Sequence, residues 1–349
     1  MEHYLEQLDM TEMMENLDRF FPEFTWNLSG MFDQILAGNW KEALSMIWQG
    51  IFGNLLSEAA GMKGLLATIL LLGMLSVLIS GFMTGFENRQ IAEIAHTIFY
   101  LLLLAVLLKI FYQCYQTALR VLEGMTQFSA LVLPALCLSL GPAAGTVTAA
   151  GYYELALFII FLVENFILHI CMPLMPVFML LLLMNGVWEE GKLAPLMELL
   201  EKGILAASKF CLAAVTGFGF LQSMVAPALD SLKRGAAQKV ISVIPGLGDL
   251  AEGTTQLLIG SAILVKNGLG VFVLLLLVAL VAVPFGELLL YGVLLKVSGA
   301  LVGVAADKRL TASILRTADA VFLSLRLAGC GAACFFILAA IITCLVGRG

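Results

Sequence analysis

The chain has 349 residues, of which 61% are apolar and 13% are charged, and its mean hydropathy is +0.99. Soluble domains average about 45–50% apolar and about 25% charged residues, so this composition excludes an ordinary soluble enzyme. The net charge of −6 argues against a nucleic-acid-binding protein. The composition predicts an all-α, polytopic integral membrane protein.

The first 63 residues differ from the rest in charge, with ten acidic and three basic side chains. Residues 1–20 lack the basic start and apolar stretch of a secretory signal. An amphipathic helix is predicted after Asn39, which caps it together with Glu42. Its two tryptophans favour a helix at the membrane–water interface, and the alternative is a small soluble helical lobe that packs on the membrane domain. We divide the chain into an acidic amphipathic region, 1–63, expected outside the cytoplasm, and a polytopic membrane domain, 64–349.

Long runs without charged residues dominate the membrane domain. About 20 apolar residues in a helix cross a ~30 Å hydrocarbon core, whereas barrel strands would alternate in polarity. Lys109 is placed near one end of its span. We predict eight transmembrane helices, over 64–86, 94–113, 124–150, 155–186, 203–229, 267–286, 287–306 and 327–347.

Lysine and arginine in short loops indicate orientation. The segments 230–239 and 307–326 are basic and are placed in the cytoplasm, whereas the acidic connection 187–202 is placed on the opposite side. Counting crossings puts both termini outside, although Lys109 and Arg120 then lie on the wrong side.

Two segments contain residues that break helices. Residues 124–150 include Pro134 and Pro142, and residues 240–266 are rich in glycine. Freed backbone groups in a bilayer must be buried in protein or face water, so both segments are candidates for broken or re-entrant helices. The alternatives are one kinked span for the first segment and an interfacial helix pair for the second.

An internal repeat is a further hypothesis. Residues 186–209 align without gaps on 303–326, and each follows a long apolar stretch. The repeat units would be 124–229 and 240–347. Because the predicted orientation puts the two aligned segments on opposite sides, the repeat would be inverted, as in many transporters.

Ionisable residues within spans are expensive and often functional. Glu164, His169 and Glu287 are candidates for a proton or ion path, and Lys296 is a fourth intramembrane polar residue. The alternative, which we favour, is that these groups lie at helix ends or form structural pairs.

The most distinctive local pattern is glycine-rich, and we interpret it as a structural or partner-binding motif. Its residues are Pro245, Gly246, Gly248, Asp249, Gly260, Lys266, Asn267 and Gly270. The spacing is not that of a phosphate-binding loop, and no hydrolase or paired-cysteine metal motif occurs in the sequence. The seven cysteines lie in apolar stretches and are interpreted as helix-packing residues. We therefore expect no metal, no cofactor and no enzymatic activity.

The chain resembles the stage III sporulation protein AE family of endospore-forming bacteria. The resemblance rests on the Pro-Gly-Leu-Gly-Asp stretch from Pro245, the Gly-Ser-Ala-x-x-x-Lys-Asn-x-x-Gly run ending at Gly270, and the loop with Asp307 and Arg309. It covers roughly residues 60–347.

This resemblance implies a subunit of a channel or secretion-like complex in the mother-cell membrane facing the forespore, needed for late forespore gene expression. The implied partners are the other stage III sporulation proteins of the same operon, a forespore-side junction protein and the lipid bilayer. The alternative is a transporter-like permease for a small solute, coupled to protons through Glu164, His169 and Glu287.

Overall fold

The computed structural model describes residues 40–83, 89–144, 158–159, 161–187, 192–241, 275, 277–278, 280–304 and 308–346, and none of these residues lies in a β-strand. The helices are α1 (Trp40–Gly61), α2 (Lys63–Met83), α3 (Arg89–Ala144), α4 (161–187), α5 (Ala194–Ile241), α6 (Leu280–Val302) and α7 (Lys308–Val346). Within α4, a π-helical turn, Ile167–Cys171, precedes the α-helical part Met172–Val187.

Five helices in the described part of the chain are long and apolar enough to cross a membrane. They are Trp48–Leu75, Thr97–Phe128, Phe161–Gly186, Leu280–Val302 and Lys308–Ile337. The all-α, membrane-spanning class predicted from composition is confirmed at this level. The predicted number of eight crossings is not reproduced by the described residues.

Three differences separate the predicted spans from the observed ones, and the last two lower the number of crossings. The first span begins at Trp48 because α1 and α2 follow each other with only a turn at Met62, whose N–H still bonds to the Glu58 carbonyl at 3.0 Å. Residues 94–113 and 124–144, from two predicted crossings, belong to one helix, α3, which has 56 residues and is about 84 Å long. Residues 280–302 likewise form one helix where a boundary was predicted before Glu287.

The physical reason is that charge and helix propensity are separate properties. Lysine, arginine and glutamate are good helix formers, so Lys109, Arg120 and Glu287 interrupt an apolar run without interrupting the helix. Pro134 also lies within α3, so the predicted break in 124–150 is wrong up to Ala144. Proline is tolerated in membrane helices because neighbouring groups satisfy the freed backbone. Residues 145–150 are outside the described residues.

Helices α6 and α7 form an antiparallel hairpin with a constant register. A contact that lies a given number of residues earlier in α6 lies the same number of residues later in α7. The contacting pairs are Gly303 with Thr311, Gly299 with Leu315, Gly292 with Phe322, and Phe285 with Gly329. The four levels are four, seven and seven residues apart, and each has a glycine on one of the two helices, which lets the two backbones approach closely.

Helix α7 is the centre of the bundle and packs against α3, α4, α5 and the π-turn. Its buried face carries Ser313, Thr317 and Ser324 among small apolar residues. The Thr317 hydroxyl donates to the Ser313 carbonyl at 2.8 Å, and the Ser324 hydroxyl donates to the Ala320 carbonyl at 3.1 Å. These polar atoms are therefore satisfied within the helix and add little bulk, so neighbouring helices can pack closely.

The helix pairs α4–α5 and α6–α7 point in the same direction. Helix α4 is antiparallel to α7, because Ile167 lies near Gly331 and Gly186 near Ser313. Helix α6 is also antiparallel to α7. Helix α5 is parallel to α7. It starts beside the end of α4, near the start of α7, and further along it contacts Cys330 of α7 through the Ser208 carbonyl.

The predicted inverted orientation of the two aligned segments, 186–209 and 303–326, is therefore wrong for the described helices. The prediction counted a crossing boundary at residues 286 and 287, whereas α6 crosses once. The contact of Gly186 with Ser313 puts the two segments at the same end of the bundle.

Candidate functional site

Two carboxyl groups from other helices lie beside threonine side chains of α3 in the bundle interior. The first contact joins α3 to α6. The buried Thr117 hydroxyl donates to Glu287 Oε1 at 3.3 Å. Glu287 follows Gly286, at which α1 packs through Leu55. The small glycine therefore lets α1 close over α6 beside a partly buried carboxyl group.

The second contact joins α3 to α4. Glu164 lies beside the Thr126 side chain, whose hydroxyl donates to the Leu122 carbonyl at 2.9 Å. Glu164 Oε1 is buried, and no hydrogen-bond partner for it occurs among the described residues. A π-helical turn begins three residues later at Ile167. Such turns insert one residue into a helix and are frequent at functional sites.

The two carboxyl groups do not share a site. Thr117 and Thr126 are nine residues apart, which is two and a half turns of α3 and about 13 Å along its axis. Glu287 and Glu164 therefore approach opposite faces of the same helix.

His169 joins neither carboxyl group. It is exposed, and its Nδ1 lies 3.2 Å from the Asn165 carbonyl. The structure thus does not bring together the three residues that the sequence suggested for a proton or ion path.

Lys296 pairs within the hairpin. Its Nζ lies 2.6 Å from Asp319 Oδ1 on α7, and the two side chains are 43% and 59% exposed. This agrees with the interpretation of Lys296 as a structural pair. Sequence reasoning missed Asp319 because residues 307–326 were taken as a loop, whereas residues 308–326 belong to the helix of the last span.

A further polar junction was also missed from the sequence. The Tyr100 and Ser313 hydroxyls form a buried hydrogen bond of 3.0 Å between α3 and α7. Gly186 at the end of α4 lies against the Tyr100 hydroxyl with no room for a side chain. The signal was weak, since a single tyrosine in an apolar stretch does not identify its partner.

The five cysteines whose side chains the structure describes are small packing residues. Cys114, Cys171, Cys211 and Cys334 are buried and free, and Cys330 donates its thiol to the Ser208 carbonyl at 2.9 Å. Within the described ranges, no three His, Cys, Asp or Glu side chains are grouped as metal ligands.

The glycine-rich motif lies outside the described residues. This applies to Pro245, Gly246, Gly248, Asp249, Gly260, Lys266, Asn267 and Gly270. Its interpretation as a structural or partner-binding motif therefore stays a prediction.

A family profile and a curated relative name the same family. The sequence profile of the family described as Stage III sporulation protein AE matches residues 26–346. A similar curated protein is the Stage III sporulation protein AE of Bacillus subtilis (strain 168), 25% identical over 254 residues. The match covers 72% of this chain and 64% of that protein, so the chain spans less than two thirds of its relative.

No solved structure matches the chain. The family match extends from before α1 to the last residue of α7 and includes every described helix. The chain therefore belongs to the stage III sporulation protein AE family.

Proposed function

We propose that this chain is an integral membrane subunit of the channel or secretion-like complex between mother cell and forespore. In this role it resides in the mother-cell membrane facing the forespore and sustains late forespore gene expression. Its partners are the other stage III sporulation proteins of the same operon and a forespore-side junction protein. Two observations support the proposal: the family membership, and five helices of membrane-spanning length.

The observation that carries the choice between subunit and permease is the separation of the intramembrane carboxyl groups. A proton-coupled carrier needs titratable groups in reach of one another or of one cavity. Here Glu287 and Glu164 meet opposite faces of α3, and each contacts a threonine of that helix. This arrangement suits helix–helix cohesion in a core subunit.

The permease is the second candidate function, and the observation that favours it is at Glu164. Glu164 Oε1 is buried with no hydrogen-bond partner in the described part of the chain, beside a π-helical turn. Both features occur in transport proteins.

The experiment is a pull-down of the tagged full chain from detergent-solubilised membranes of sporulating cells, with partners identified by mass spectrometry. We expect co-purification of the other stage III sporulation proteins. An unrelated tagged polytopic membrane protein expressed at the same stage is the control. Recovery of this chain alone, in a detergent that keeps other membrane complexes intact, would contradict the subunit proposal and favour the permease.

A further inference from the structure

The outward surface of α3 between Ile98 and Tyr112 is apolar except at one position. We name this surface the outer α3 face. It consists of Ile98, Leu101, Leu102, Leu108, Lys109 and Tyr112, all exposed. The opposite side of the same turns is buried in the core through Leu103, Leu107 and Ile110. Lys109 is two residues beyond Leu107, or about 200° around the helix, so it points directly away from the bundle.

Lys109 lies deep in its membrane span. Every stretch of 20 residues within Thr97–Phe128 contains it. The stretches that avoid the next charges, Arg120 and Glu123, leave Lys109 at least about seven residues, or roughly 10 Å, from either end. A lysine near a helix end can extend its ammonium group to the interface, but this lysine is not near an end.

A charged side chain at this depth normally faces protein or water and is paired. The chain itself follows this rule at Lys296, which pairs with Asp319 on the neighbouring helix. Lys109, by contrast, has no ion-pair partner among the described residues.

The neighbouring helix α2, which packs on α3, carries a second exposed lysine at its start, Lys63. Lys63 lies in the middle of the span Trp48–Leu75 and also has no ion-pair partner in the described ranges. The contacts of Leu55 with Gly286 and of Gly73 with Val302 place Lys63 between those two levels of α6, in the middle part of that helix. Two helices that pack against each other therefore each carry a lysine in the middle part of a span.

The outward surface of α4 provides a contrast within the same bundle. Between Ile170 and Met184 its exposed side chains are all apolar, and they include Val177 and Leu180. That surface can face lipid without cost. The outer α3 face cannot, because its central ammonium group would remain unpaired in hydrocarbon.

We propose that the outer α3 face binds a transmembrane helix of a partner subunit that carries an aspartate or glutamate near its middle, paired with Lys109. Apolar side chains above and below the pair pack against the partner helix and exclude lipid. The charge pair then fixes the depth at which the two helices meet, because an offset would leave both charges unpaired. This inference deepens the proposed function and rests on it for the presence of other membrane subunits.

The test combines two measurements on the full chain in membranes of sporulating cells. A photo-crosslinking amino acid replaces Tyr112 on the outer α3 face, or Leu180 on α4 as the matched position. The crosslinked peptide is identified by mass spectrometry. We expect the Tyr112 position, and not the Leu180 position, to crosslink to an apolar segment of another protein that contains a carboxylate.

The second measurement compares partner recovery for Lys109→Met, Lys109→Arg and the wild type, at equal protein level. We expect Lys109→Met to lower recovery of the crosslinked partner at least about tenfold, and Lys109→Arg to retain it. Lys41→Met, which changes an exposed lysine before the first span, is the control. Lys109→Glu combined with lysine at the partner's carboxylate is expected to restore recovery.

Several results would overturn the inference. These are equal recovery by Lys109→Met, crosslinks only to a second copy of this chain, crosslinks only to lipid, or equal yields at Tyr112 and Leu180. The two proposals fail separately. If the wild type recovers the stage III proteins and Lys109→Met recovers them equally, only the charge pairing fails. If the wild type recovers none of them but Tyr112 crosslinks to an acidic membrane helix, only the proposed function fails.

Discussion

Gly292 of α6 faces Phe322 of α7 so closely that a Cβ on the glycine would lie 2.8 Å from the phenylalanine Cζ. The same relation recurs seven residues along, where Leu315 Cδ2 would lie 2.7 Å from a Cβ on Gly299. The absence of a side chain at these glycines is what lets the hairpin close. Because α7 also packs against α3, α4 and α5, the hairpin is central to the whole bundle.

The Gly292→Ala variant should destabilise the protein by about 1–3 kcal/mol, because the added methyl group forces the Phe322 ring or the two helices to move. The measurement is the thermal unfolding midpoint of the purified chain in detergent. Gly203→Ala on α5 is the control, since a Cβ there meets no atom within 4 Å. Equal unfolding midpoints for the two variants would contradict the close packing of the hairpin.

The Tyr100–Ser313 hydrogen bond should appear as coupling between α3 and α7. Tyr100→Phe and Ser313→Ala are each expected to cost roughly 1 kcal/mol, and the double variant less than their sum. Coupling of about 0.6 kcal/mol is typical of such bonds between membrane helices. A double-mutant cycle on unfolding in detergent measures it, with the exposed Tyr112→Phe as control. Strict additivity would indicate that the two hydroxyls do not interact.

Replacing Asp319 with leucine should leave Lys296 unpaired on the surface of the hairpin and lower the stability by about 2 kcal/mol. Adding Lys296→Met should restore most of that loss, because the double variant has no unpaired charge. Protein level in membranes and the unfolding midpoint in detergent are the readouts. The exposed pair Glu198 and Lys202, 2.5 Å apart on α5, provides the comparison. Failure of the second substitution to restore stability would contradict the structural role of the pair.

Glu164→Gln and Glu287→Gln should each leave sporulation near the wild-type level if the carboxyl groups serve helix packing. Glutamine has nearly the size of glutamate, and at position 287 its amide oxygen still accepts from the Thr117 hydroxyl. Spore counts, protein level and recovery of partners are measured together, with the exposed Glu201→Gln as control. Loss of sporulation at normal protein level and normal assembly would instead support proton-coupled transport.

Part of the candidate site could be predicted from the sequence. Glu164, Glu287 and Lys296 were identified because ionisable residues stand out in an apolar chain. Their partners were not, because Thr117, Thr126 and Asp319 lie on other helices and a polar residue does not reveal which helix it faces. The structure also does not bring Glu164, His169 and Glu287 together. Their positions along the chain do not show that Glu164 and Glu287 approach opposite faces of α3.

The sequence by itself determined the helical class and the apolar segments that are long enough to cross a membrane. Both follow from local properties, namely hydropathy summed over about 20 residues and the cost of an unsatisfied backbone in hydrocarbon. It did not determine where one helix ends and the next begins, because lysine, arginine and glutamate interrupt an apolar run but continue a helix.

Only the tertiary structure decided the direction of the helix pairs and the central position of α7. It also decided that Lys296 pairs with Asp319 and that Lys109 faces outward. Contacts such as Gly292 with Phe322 and Lys296 with Asp319 join residues distant in the chain. Such contacts depend on the shapes and rotational settings of two helices together, which no single segment specifies.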